Sequence, residues 1–297
     1  MLTIEYEQAL VETAVFLAVR RDERLECELH QAVDQLYEIP DEELRQREFV
    51  PVFRDFFTKL GFDRLIAGLV AERPLVGELV DRCVVREAAR KKAQSAELLV
   101  QSDKGGEEHG SKTLVIQLCP QSFIESEQFV PLMRRELLHV ADMLDERFGY
   151  LRETFSGQPS RQNLQRDRYR VLWDIYVEGR LEREQVGMKP ERERLKRAFG
   201  RVFADRIAGD GGGVFRRVFD ASSLAHRDLM DWARDPSLLF DSPLGTGEVA
   251  AGSQCADSME KTMCTSALWH QLRSRSLAST LLDTKSTDHD RRLRKKD

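Results

Sequence analysis

The residues with the most chemical content in this sequence lie in one pentapeptide, Arg135-Glu136-Leu137-Leu138-His139. On a helix, positions three and four apart share a face, so Glu136 and His139 would present a carboxylate and an imidazole to the same space. A carboxylate there can take a proton from water, and a neutral imidazole can ligate a metal ion. A second pair follows in Trp173-Asp174-Ile175-Tyr176-Val177-Glu178-Gly179. Asp174 and Glu178 are four apart, so they too share one helical face.

Together these segments resemble the zincin-type metallopeptidases. In those enzymes an H-E-x-x-H helix supplies two zinc ligands, and the glutamate activates the bound water. The likeness is to the gluzincin branch, in which a glutamate on a later helix is the third ligand, and it spans about Leu114 to Glu182. It implies Glu136 as general base and His139 as a zinc ligand. Glu178, thirty-nine positions later, becomes the third ligand, with Asp174 as its supporting neighbour or its replacement. It also implies zinc as cofactor and a peptide or protein as substrate or partner. The strand Thr113 to Cys119 before the motif corresponds to the substrate-pairing edge strand that those enzymes place beside the active-site helix.

The departure from the pattern is Arg135, which stands where the first histidine belongs. Arginine stays protonated and only donates hydrogen bonds, so it cannot ligate a metal. A guanidinium about 4 Å from a dication would be repelled by roughly 8 kcal/mol at an effective dielectric near 20. Metal binding is therefore expected to be weakened or lost unless His109, His226 or Asp142 completes the set. Alternatively, Arg135 takes the cation's place and pairs with Glu136 or Glu178. Two readings compete with the metal site. Arg134, Arg135, Glu136, His139, Asp142 and Glu146 can form a solvated face opposite Leu137, Ala141, Leu144 and Phe148, and the chain can be a non-catalytic helical protein that binds a partner through its surface.

The elements that must position these residues are mostly helical. Ile4 to Val19 and Leu25 to Leu36 carry apolar residues at helical spacing. Pro40-Asp41-Glu42-Glu43 starts another helix, with Phe49, Val52, Phe53, Phe56, Phe57 and Leu60 on its apolar face and Gly61 as a left-handed terminus. Leu79 to Val85, Ala96 to Val100 and Thr113 to Cys119 read as strands, with Ser102 to Lys112 as an exposed hairpin connection. Pro131 fits the first turn of the motif helix. Helices follow over Asn163 to Gln185, Glu191 to Ala204 and Leu224 to Ala233, with a glycine break at Asp210-Gly211-Gly212-Gly213. The expected fold is α+β, mainly helical, with a small two- or three-stranded sheet beside a zincin-like helical core. The expected organisation is an N-terminal helical region over 1–76, the core over 77–236 and a poorly ordered tail over 237–297.

Composition narrows the function further. With 41% hydrophobic and 33% charged residues and a net charge of −5, the chain is apolar enough to fold. It lacks the basic excess that nucleic acid or an anionic membrane would select. Its start has no basic and apolar leader, and its apolar runs are too short to span a bilayer. Five scattered cysteines suit a reducing compartment, so the cytoplasm is expected. Other motifs fail on spacing. Only one Glu-x-x-His occurs, where a di-iron bundle needs two. Cys255, Cys264 and His270 are too far apart for a zinc finger, and the Asp210 glycine run lacks the Lys-Ser or Lys-Thr of a phosphate loop.

Overall fold

The computed structural model describes residues 2–101, 110–152, 155–184, 191–206, 211–240 and 264–265. The chain is mainly helical with one small sheet. Its compact units divide after Val140, inside the motif helix.

The first unit opens with a strand, β1 (Thr3–Tyr6), where the apolar spacing suggests helix from Ile4. Four residues with β-favouring Thr3, Ile4 and Tyr6 pair in parallel with β2 (Arg82–Glu87), Ile4 lying opposite Cys83. Long-range pairing overrides the local helical pattern here. Helices α1 (Gln8–Val19), α2 (Glu23–Asp34), α3 (Glu42–Lys59), α4 (Phe62–Ala71) and α5 (Pro74–Leu79) lie between the two strands. Asp22 caps α2 by accepting from the amides of Arg24 and Leu25, and Asp41 caps α3 by accepting from Leu44, as short acidic side chains do at helix starts. Gly61 joins α3 to α4 at φ +74°, a left-handed backbone that a side chain would resist.

β2 pairs in parallel with β4 (Lys112–Leu118), and β4 pairs antiparallel with β3 (Ser95–Val100). The four strands therefore run in the order β1-β2-β4-β3. The sheet has one strand more than the sequence suggests, because β1 hides in a helical pattern. The strand expected at the sheet edge, Thr113 to Cys119, is also internal, flanked by β2 and β3. Its residues Leu114, Ile116 and Leu118 are all but fully buried, as an interior strand demands. The connection 102–109 lies outside the described residues.

Helix α6 spans Ser126–Leu144. It begins five residues before Pro131, which sits inside it. Phe129, 2% exposed, anchors the additional turn.

The second unit is helical. α7 (Pro159–Arg183) is its axis, and α8 (Arg192–Val202), α9 (Gly211–Phe219) and α10 (His226–Arg234) pack on it. The glycines expected to break the chain instead open α9. Gly179 explains how closely that helix approaches. A Cβ built there would lie 1.8 Å from the carbonyl oxygen of Phe219, so no larger residue fits without backbone movement. Ser237–Phe240, in the stretch expected to be a loose tail, forms the short helix α11 with Leu239 fully buried. Of the rest of that tail only Cys264–Thr265, a two-residue strand, lies among the described residues. No helix among the described residues is long and apolar enough to cross a membrane.

Candidate functional site

The motif helix is not amphipathic where the motif lies. Every residue from Glu136 to Asp142 is buried, a pattern for a helix enclosed on all sides. Glu136 is 1% exposed, His139 3% and Asp142 2%. The solvated-face reading is thus overturned for these three, because the enclosing residues reach the polar side of α6 as well as its Leu137 and Ala141 side. It holds for the flanks: Arg134 and Glu146 reach solvent, and Arg135 is half-buried. Arg134 forks onto Glu72, donating from Nε and Nη2 to its two carboxylate oxygens at 2.7 Å each. This parallel pairing suits a guanidinium.

One turn beyond His139, Asp142 has its own partners. It accepts a hydrogen bond from Trp173 Nε1 at 2.9 Å and forms an ion pair with Arg180. The carboxylate is satisfied by groups thirty-one and thirty-eight residues away. Buried charges require such compensation. Arg180 also lies 5.1 Å from the Tyr176 ring. Asp142, considered above as a replacement ligand, is thereby committed to a tryptophan and an arginine.

On α7, Glu178 is 2% exposed and Asp174 half-buried. His226, another replacement considered, is 3% exposed at the start of α10. Its Nδ1 lies 2.8 Å from the Tyr169 hydroxyl, and its ring sits among Phe148, Tyr150 and Tyr169 at centroid distances of 6.1, 5.0 and 5.4 Å. The amide of His226 also donates to the Phe148 carbonyl at 2.7 Å. His109 lies outside the described residues. Glu136 and His139 belong to the first compact unit, and Asp142, Asp174, Glu178 and His226 to the second. Among the described residues no group of three or more His, Cys, Asp or Glu side chains is arranged to hold a metal ion. With Arg135 unable to donate a lone pair and Asp142 engaged, these residues do not make a donor set for zinc.

Two thiols, those of Cys83 and Cys119, are buried. Burial pushes Cys83 up to about 12 and also raises Cys119, so neither is a thiolate near neutrality. Sequence reasoning missed the Trp173–Asp142–Arg180 and Tyr169–His226 pairings. Nothing in local spacing marks them, although a tryptophan and a tyrosine amid apolar helix residues signal polar tips in need of partners.

Comparison of the chain with protein-family models, with curated proteins and with solved structures finds no match.

Proposed function

We propose that this chain is a zincin-like protein with weakened or lost metal binding, which acts by binding a peptide or protein. The burial of Glu136 and His139 beside Arg135 carries this reading. A general base must be reached by both water and substrate, and a side chain 1% exposed in a fully enclosed helical stretch offers neither a path. The order of elements supports the kinship: an antiparallel strand pair, then the motif helix, then a long helix bearing buried Glu178. Support for a binding role comes from an aromatic row on the first unit. Phe16, Phe53, Phe49 and Tyr37 follow one another at centroid separations of 5.0, 6.3 and 5.3 Å. Its two ends are open, Phe16 at 41% and Tyr37 at 65% exposure, and exposed aromatic clusters suit partner contacts. A reducing, cytoplasmic setting accords with the unpaired thiols of Cys27, Cys83 and Cys119.

The test is elemental analysis of the full chain, produced with added zinc and purified without chelators, alongside Arg135→His. Wild type should carry substoichiometric zinc and show no hydrolysis of casein, while the histidine variant should bind zinc at least tenfold more tightly. Stoichiometric zinc with peptidase activity in wild type would overturn the reading. An unchanged zinc affinity in Arg135→His would remove the kinship with zincins.

A further inference from the structure

In the first unit, β1 stands at one end of the strand order, with β2 as its neighbour. The Glu7 amide donates to the Val85 carbonyl at 2.9 Å. Backbone groups alternate sides along a parallel ladder, so those of Thr3 and Glu5 also face β2. The amide and carbonyl groups of Ile4 and Tyr6 point the other way, off the edge of the sheet. Among the described residues these outward groups have no hydrogen-bond partner. Such a row is a template for one more strand.

A cavity of about 410 Å³ lies on the same strand. Ile4 and Tyr6 line it from β1, Arg54 and Phe57 from α3, and Asp63 and Arg64 from the first turn of α4. Tyr6 is fixed there. Its ring lies 5.0 Å from that of Phe57, and its hydroxyl donates to the Asp63 carbonyl at 3.4 Å. Side chains alternate between the faces of a sheet, so a strand added beside β1 would send every second side chain toward this cavity.

The cavity also carries charge. Arg54 and Arg64 are exposed, and among the described residues neither forms an ion pair. Neither has an acid three or four positions away on its own helix, where a helical ion pair would form. Asp63 is the one carboxylate in the wall, and its Oδ1 accepts from the Arg64 amide at 2.8 Å. Two guanidinium groups against one carboxylate leave one positive charge in excess.

We propose that the β1 edge takes up an extended peptide as a further strand, with an acidic side chain of that peptide meeting Arg54 and Arg64. An apolar side chain of the same peptide then rests on Ile4, Tyr6 and Phe57. In strand addition main-chain bonds give affinity and alternate side chains give specificity, and a guanidinium offers a carboxylate paired donors. β1 has only four residues, so the side chains in the cavity decide which peptide is taken. The inference deepens the reading of the chain as a peptide- or protein-binding one and rests on it. The strand concerned is a different one from Thr113 to Cys119, which the zincin likeness designates.

Selection of a phage-displayed library of random linear peptides on the immobilised full chain tests the proposal, followed by fluorescence anisotropy of the enriched peptides. These should share one acidic position among β-favouring residues. They should bind at least tenfold more weakly to the Arg54→Glu, Arg64→Glu double variant, and lysine in place of the peptide's acid should restore binding to that variant. Methylating the peptide's backbone nitrogens one at a time should weaken binding to wild type in alternation, because only every second amide faces β1. Both arginines are exposed, so an unchanged melting temperature in the double variant separates lost binding from lost folding. Enriched peptides that lack the acid, bind both proteins equally well or show no alternation would overturn the edge site and leave peptide binding standing. A library that enriches nothing would overturn both.

Discussion

Helices α3 and α7 each present a long buried face, and they bury opposite kinds of chemistry. α3 buries Phe49, Phe53, Phe56 and Phe57. Phe57 alone meets Tyr6, Phe62 and Phe123 at ring separations of 5.0, 5.4 and 5.2 Å. α7 buries Leu172, Ile175 and Val177 too, but Gln165, Arg168 and Glu178 lie buried among them. Apolar burial is non-directional and scales with area, so the α3 face needs only volume and shape. Polar burial is directional and fails when a partner is missing. The difference makes α3 a packing face and α7 a face whose burial depends on specific partners.

The contrast can be broken first at Gly179. Its Cβ position is occupied by the Phe219 carbonyl, so Gly179→Ala must push α7 from α9. A loss of at least about 3 kcal/mol is expected, at or beyond the upper end of overpacking costs. Urea denaturation measures it, and a loss below about 1 kcal/mol would mean that the two helices are not in close contact.

Next in size is Asp142→Asn, nearly identical in shape but without the charge that Arg180 meets. Losing one partner of a fully buried pair costs about 3–5 kcal/mol. The Arg180 side chain is 25% exposed, so water recovers part of this and about 2 kcal/mol is expected. The same denaturation series, with Trp173 fluorescence as a local probe, checks it. A neutral outcome would show that the shape of this cluster matters more than its charge.

The smallest effect belongs to Phe57→Leu. The residue is 3% exposed, yet a change between apolar side chains should cost only about 1–1.5 kcal/mol. If it instead exceeds the cost of Asp142→Asn, the distinction drawn between the two helices collapses.

Much of this fold was legible before any coordinates. The periodicity of α3, its start at Pro40 to Glu43, the left-handed Gly61, the hairpin order of β3 and β4, and helices α7, α8 and α10 all follow from local rules, whereas α9 and α11 do not. β1 was not legible, because four residues beside a strong helical pattern become a strand only when β2 lies alongside. Neither was the early start of α6, which depends on Phe129 finding the core. At the candidate site, Glu136, His139, Asp174 and Glu178 were identifiable by residue type, but their surroundings were not. The solvated-face reading of α6 failed for a related reason: a polar residue on a helix looks the same in sequence whether water or protein covers it.

What the sequence determined by itself is therefore local: where helices start, which faces are apolar, and that Arg135 cannot serve as a ligand, since a guanidinium has no lone pair to give. Tertiary structure decided the rest. It enclosed Glu136 and His139, tied Asp142 to Trp173 and Arg180, and brought the Phe219 carbonyl against Gly179. Burial and partnership join residues thirty or more positions apart, and no short-range spacing encodes which distant side chain arrives.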